Sequence, residues 1–328
     1  MLDATASAGI SYGFHRRVPS ALLEAWIGCE DRALLLEGGA CRSAVALGAA
    51  AALYQCDDLP KPRRVWTSSA GALIAVHLEL GAWERGVRLM LDAPEVISFS
   101  PGRVLSGRIF DLDDLFARVD LPWSALATTT AADIQVAVTC ARTGEILHFG
   151  LADDVAGAPA LVRASMILPG GCGPPIHSKG RPLVDGAPGA LPVDAIGARA
   201  GVAFAMLSWP EGYRSRRASL FEWLFAPWWS RGIDRRARKT FLDRGHADMR
   251  ARDIILGRAS DPRCPTAWIP IAATNERLPG KACRQRAFLA EAIEQGARRF
   301  ISAIYGDAPP PRTRAFLKEL TAVCRTTR

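Results

Sequence analysis

The sequence predicts an α/β fold with parallel strands in its sheet. From Arg32 onward, short apolar runs alternate with helical stretches, the pattern of strands joined through helices. Two of the joints carry marked turn chemistry, Glu37–Ser43 with a glycine pair and Thr67–Gly71 with two serines. No internal repeat or low-complexity linker breaks the chain, so one domain is expected.

The elements follow in order. Residues 1–30 read as an N-terminal arm or helix. Ala33-Leu34-Leu35-Leu36 is a strand, and after Gly38-Gly39 the Ala-rich stretch Ala44–Tyr54 is a buried helix. Val65–Thr67 is the next strand, with a helix starting near Ser69. Ile134–Cys140 is an apolar strand, and Ile146–Phe149 is its hairpin partner across Thr143-Gly144. Ala203–Leu207 is another strand. The stretch 213–258 is helical and Arg-rich, and carries Phe221, Trp223, Leu224, Phe225, Trp228 and Trp229. Arg286–Tyr305 is helical, and Pro309-Pro310-Pro311 separates it from a final helix in the 307–328 tail.

Composition narrows the class. A chain of 328 residues, 49% of them hydrophobic, can bury a large core. No apolar run reaches the roughly 18 residues of a membrane span, and the N-terminus lacks a basic-then-apolar leader pattern. A cytoplasmic protein is expected, peripheral at the inner face of the membrane if it acts on lipid. The eight cysteines include no C-x-x-C pair, so a zinc or redox motif is not expected and the thiols should be reduced. No metal or cofactor is called for. The net charge of +8 suits an anionic lipid surface or plain solubility. No nucleic-acid-binding module accompanies the basic residues.

Val65-Trp66-Thr67-Ser68-Ser69-Ala70-Gly71 reads as strand, sharp turn and helix, the layout of a nucleophile elbow. Gly71 fixes the register and makes Ser69 the candidate nucleophile over its neighbour Ser68. Ser69 could equally be a helix N-cap. A serine hydroxyl needs a base and an oxyanion hole to act. In Glu37-Gly38-Gly39-Ala40-Cys41-Arg42-Ser43, the glycines let successive amides face one cavity at the positive end of a helix. A plain tight turn is the alternative, and no G-K-[ST] follows to make a P-loop. None of the five histidines stands in a triad context. His77 follows Ser69 by eight residues, about two turns along the same helix. The other candidate base is a carboxylate, Asp185, at the end of the apolar run Pro182-Leu183-Val184. In isolation, Asp185-Gly186 reads as a hairpin turn.

Taken in this order, the Gly-Gly loop with Arg42, the S-x-G elbow and Asp185-Gly186 resemble the patatin-like phospholipase family. So do Ala164–Pro169, Pro174-Pro175 and Gly180 leading to Val184-Asp185-Gly186. Phe110–Phe116, Thr143-Gly144-Glu145 and the aromatic and basic stretch after Tyr213 resemble a bacterial subgroup of it. The similarity is read over roughly residues 32–305. It implies a patatin-like three-layer α/β/α sandwich with a mostly parallel central sheet and a helical cap region. The catalytic domain would be 31–306, with 213–258 as its cap.

The resemblance further implies a serine acyl hydrolase acting on phospholipids or other lipid esters through a Ser69–Asp185 dyad. The amides of Gly38, Gly39, Ala40 and Cys41 would form the oxyanion hole, and Arg42 would order that loop. An ordinary aspartate, with a pKa of about 3.9, is a weak base at neutral pH, so such a site would have to raise it. Trp223, Phe225, Trp228 and Trp229, beside Arg235, Arg236, Arg238 and Lys239, suit the boundary of an anionic membrane or a packed cap. Three positions depart from the family pattern. Ala40 and Ser43 replace glycines in G-G-G-x-R-G, and Thr67 replaces the first glycine of G-x-S-x-G. They keep open the alternative of a silent lipid-binding protein on the same scaffold, and an acyltransferase, with an alcohol in place of water at the acyl-enzyme, is a further alternative.

Overall fold

The computed structural model describes residues 17–99, 110–127, 132–214, 232–272, 279 and 283–326. The first half runs α1 (Ser20–Gly28), β1 (Arg32–Leu36), α2 (Ser43–Gln55), β2 (Arg64–Ser68), α3 (Ala70–Glu79), α4 (Trp83–Val96), β3 (Ser98–Phe99), β4 (Phe110–Asp111), α5 (Asp113–Ala117), β5 (Asp133–Cys140) and β6 (Ile146–Gly150). The second runs α6 (Ala158–Ala164), β7 (Ile176–Ser178), β8 (Arg181–Val184), α7 (Val193–Gly197), β9 (Val202–Leu207), α8 (Arg235–Ile255), β10 (Ala267–Ala272), α9 (Arg286–Tyr305) and α10 (Pro311–Thr326).

The main sheet has the order β10-β9-β1-β2-β5-β8-β7, with β6 also paired to β5. The run β10 to β5 is parallel throughout. Strands β6, β8 and β7 add antiparallel pairs at one end. Both faces of the parallel part are covered. Leu34, Leu36, Phe204 and Met206 enter one core cluster, and Ala33, Leu35, Ala205 and Leu207 enter the other. This is the period-two alternation of a strand buried on both sides. The first cluster is filled by α2, α3, α4, α9 and α10, the second by α7 and α8. The architecture is an α/β sandwich with a mostly parallel sheet, as the sequence predicts.

Helix α2 shows why the Ala-rich run is buried. Every residue from Ser43 to Tyr54 is buried. Gly48 lets it touch α9, since a Cβ there would stand 1.9 Å from the Ile293 carbonyl oxygen. Small side chains are needed all round a helix packed on every side. Of the N-terminal segment, the described residues 17–30 include helix α1, which packs on the core. Trp26 of α1 is fully buried edge-on to Phe204, with ring centroids 4.6 Å apart, and its indole donates to the Pro60 carbonyl. Phe316, Leu320 and Val323 of α10 join the same core. Among the described residues, no helix is long and apolar enough to cross a membrane.

Candidate active site

The site forms where β2 and β8 meet along one edge of β5. Ser68, the last residue of β2, pairs with Ala137 of β5. Strand β8 comes from the opposite direction and pairs Val184 with Thr139. Both lie on the same edge. Amides eight residues apart on a strand point the same way, and Asp133 N donates to Arg63 O while Ala141 N donates to Pro182 O. The two strands therefore approach head-on, across two residues of β5, or about 7 Å of strand rise. Ser69 and Asp185 are the next residues of each strand into that gap.

Ser69 adopts φ 51° and ψ −134°, between the end of β2 and the start of α3. A non-glycine residue pays about 1–3 kcal/mol for such a conformation, which persists only where packing over-determines it. Here the packing is tight. A Cβ on Gly71 would stand 2.5 Å from Thr67 Oγ1 and 2.8 Å from Leu36 O. Ser69 occupies the N-cap position but makes no side-chain cap bond, so the helix-cap alternative fails. Ser69 is partly exposed, whereas Ser68 is buried and its hydroxyl has no partner among the described residues. Of the two, Ser69 is the one that solvent reaches. Thr67 is 1% exposed and packs against Gly71 inside the turn.

The Gly38–Arg42 loop lies directly against the elbow. A Cβ on Gly38 would stand 2.5 Å from Ser68 O and 2.9 Å from Ser69 Cβ. Among the described residues, the amides of Gly38, Gly39 and Ala40 donate to no backbone carbonyl. Such free donors at a helix start suit an anion. Ala40 has φ 51°, so the position where the family pattern has glycine is left-handed and alanine is strained there. Cys41 is buried, with its thiol directed at the Cys283 carbonyl. Arg42 turns outward from the loop. Its Nε donates to Pro279 O at 3.2 Å, and its guanidinium lies 3.7 Å over the Trp209 ring, which stacks on Tyr213. Burial lowers its pKa. Ser43 is fully buried and shares a long contact with Ser208, 3.4 Å between hydroxyl oxygens.

Asp185 is 2% exposed. Its amide donates to Ile167 O, that of Gly186 to Ser165 O, and its own carbonyl accepts from Thr139 Oγ1 at 2.9 Å. Its Oδ1 accepts the Ala187 amide at 2.6 Å. Gly186 is not a hairpin residue. It presses onto β5, where a Cβ would stand 2.0 Å from Ala137 O. The Ala164–Pro169 segment thus supplies the carbonyls that hold the aspartate in place.

Two groups escaped the sequence reading. Burial, with smaller contributions from the charges of Asp185 and Asp111, pushes the Cys172 thiol up to about 11. Glu37, just before the loop, forms a buried ion pair with Arg252 of α8 and accepts the Ser208 amide at 2.8 Å. Nothing local in the sequence marks a pair 215 positions apart.

The histidines described stay outside the gap. His77 is buried, its Nδ1–H donates to Leu73 O at 2.7 Å, and burial lowers its pKa. His148 is likewise lowered by burial and sits edge-on to Trp66, with centroids 5.1 Å apart. The eight cysteines are free thiols. Asp194, Asp261 and Cys264 come within metal-ligand reach of one another, but Arg250 binds both carboxylates and Arg263 binds Asp261, lowering the pKa of Asp194 and holding Asp261 well below the usual range. Trp223, Phe225, Trp228 and Trp229 lie outside the described residues.

The sequence profile of the patatin-like phospholipase family matches residues 34–195. It stops short of the 32–305 span read from the sequence. Among curated proteins, none matches the chain significantly. The matched stretch carries the Gly38–Arg42 loop, the elbow at Ser69 and Asp185, and through this domain the chain belongs to the patatin-like phospholipase family.

Proposed function

We propose that the protein is a serine acyl hydrolase that cleaves fatty-acyl esters of phospholipids or related lipids. The strained turn at Ser69 is the observation that carries this reading most, since it stands at the gap that Asp185 enters from the other side. Ser69 Oγ attacks the ester carbonyl carbon while Asp185 takes its proton. The amides of Gly38, Gly39, Ala40 and Cys41 receive the developing oxyanion. Collapse breaks the C–O bond to the alcohol, which leaves with the proton held by Asp185. Water then attacks the acyl-enzyme, again losing its proton to Asp185, and the released Ser69 oxygen regains it. Arg42, held over Trp209, orders the loop from its outer end.

In this reading residues 31–306 form the catalytic domain and 213–258 its cap, with anionic bilayers as the surface it works on. A cavity of about 410 Å³ between α8 and the β5–β6 turn supports that surface role. Arg236, Lys239 and Arg244 line it with Ile146, Pro188 and Asp243. None of the three cations forms an ion pair among the described residues. Cations beside apolar side chains suit phospholipid headgroups.

A fluorophosphonate probe tests the chemistry. Wild type should label covalently, and Ser69→Ala should not. Folded wild type that fails to label would support the silent lipid-binding alternative instead. Liposome flotation tests the surface role, with Trp228 and Trp229 changed to Ser. Unchanged binding to anionic vesicles would remove those residues from it.

A further inference from the structure

We propose that Arg252 is a positioning residue for the oxyanion loop, acting through Glu37. The inference rests on the proposed hydrolase reading, but one arm of its test does not. Glu37 is 4% exposed and Arg252 2%, and the two form an ion pair. Glu37 is the residue just before Gly38, so whatever fixes it fixes the entry to the loop.

Four contacts fix it. Its amide donates to Met206 O at 3.1 Å, and its carboxylate accepts the Ser208 amide at 2.8 Å. The Arg252 guanidinium binds the other carboxylate oxygen. The Ser208 hydroxyl donates to the Glu37 carbonyl at 2.7 Å. This last bond sets the plane of the Glu37–Gly38 peptide. In a trans peptide the N–H points opposite to the C=O, so the Gly38 amide is turned away from Ser208. The free amides lie on that loop, which packs against the elbow.

The other end of the clamp closes on itself. Arg252 lies 5.2 Å over the Tyr213 ring, Tyr213 stacks on Trp209, and Arg42 lies over Trp209. Residues 37 and 42, which bracket the loop, are thus tied to one set of side chains from segments 208–213 and 235–255. Those segments lie beyond the 34–195 match. An oxyanion hole works only when its donors are held at the right place before reaction, and this clamp holds them.

Arg252→Met alone would leave a buried carboxylate uncompensated and is liable to unfold. The informative variant is Glu37→Gln with Arg252→Met, which removes both charges and keeps similar volumes. Steady-state kinetics on a soluble acyl ester and amide hydrogen exchange over residues 37–42 are the readouts. The double variant should remain folded with KM within about twofold of wild type. Its kcat should fall about tenfold to hundredfold, on the scale of a misplaced oxyanion donor. Exchange over 37–42 should quicken while that of β9 stays unchanged. Arg252→Lys, which keeps the charge, should recover part of the kcat.

A folded double variant with wild-type kcat, or with the loss confined to KM, overturns the assignment. So does unchanged exchange over 37–42. If wild type itself does not turn over the ester, the hydrolase reading fails, and the exchange arm alone decides whether Arg252 holds the loop.

Discussion

Replacing Gly38 with alanine puts a methyl group where the elbow already stands. The added Cβ would lie 2.5 Å from Ser68 O, 0.9 Å short of the 3.4 Å at which ordinary contact begins. Ser68 O belongs to the backbone of a central parallel strand and cannot rotate away. The loop must therefore move by most of that distance. Overpacking of this kind costs about 1–3 kcal/mol, within the usual margin of about 5–15 kcal/mol, so the variant should fold with a melting temperature a few degrees lower. Catalysis should suffer more. Oxyanion donors act at about 2.7–3.1 Å, and loss of one costs about 10²–10³ in kcat, or roughly 2.7–4 kcal/mol. Gly39→Ala is the internal control. Its Cβ would meet only side-chain atoms, Ser208 Cβ at 3.1 Å, Arg42 Cβ at 3.3 Å and Ser208 Oγ at 3.5 Å, and a shift of a few tenths of an ångström relieves it. Calorimetry and steady-state kinetics on a soluble ester measure both effects. Gly38→Ala with kcat within twofold of wild type, or Gly39→Ala as the more damaging change, would refute the packing of loop on elbow.

Further outcomes follow from the same geometry. Ala40→Gly should stabilise the protein by up to about 1 kcal/mol, because relief of left-handed strain of about 1–2 kcal/mol exceeds the entropy glycine adds to the unfolded chain. A urea melt showing lower stability would contradict the left-handed backbone at that position. Alkylation of Cys172 by iodoacetamide, followed by mass spectrometry, should be slow near neutral pH and rise as pH nears about 11. In Asp185→Asn the rise should move to lower pH, since a neighbouring negative charge disfavours the thiolate. An unmoved curve would mean that Asp185 bears no charge beside it. Burial holds His77 and His148 neutral, below the usual imidazole value of about 6.5. Their contribution to stability is present above that value and is lost as pH falls through the lowered folded values. Each adds a slope of up to about 1.4 kcal/mol per pH unit. Urea melts from pH 7.5 to 5.5 should show the loss, and His77→Gln should flatten it; an equal slope in that variant would exclude His77 as a source.

Much of the site was legible because its signals are local. A strand ending in S-S-A-G and a strand ending in E-G-G are each read within seven residues, and both turns stand where the spacing puts them. Asp185 was harder, since Asp-Gly by itself fits a hairpin. Only the antiparallel arrival of β8 beyond the end of β2 brings it to Ser69. The left-handed backbone of Ala40 is set by the loop's packing and has no signature of its own. The Glu37–Arg252 pair spans most of the chain, so no window of sequence contains it. Strand β10 was missed for a physical reason. Pro270 interrupts Ala267–Ala272, and proline is tolerated in a strand only at the sheet edge, where β10 lies. The hairpin turn at Thr143-Gly144 did carry a local signal. Gly144 has φ 74° and packs against Ala237 and Thr240 of α8.

The dyad itself is tested most directly by turnover of a lipid-ester panel by wild type, Ser69→Ala and Asp185→Asn, each checked for folding. Wild type should hydrolyse at least one ester, and both variants, though folded, should fall to the background rate. Wild-type turnover in folded Ser69→Ala, or an Asp185→Asn variant as active as wild type, would contradict the dyad.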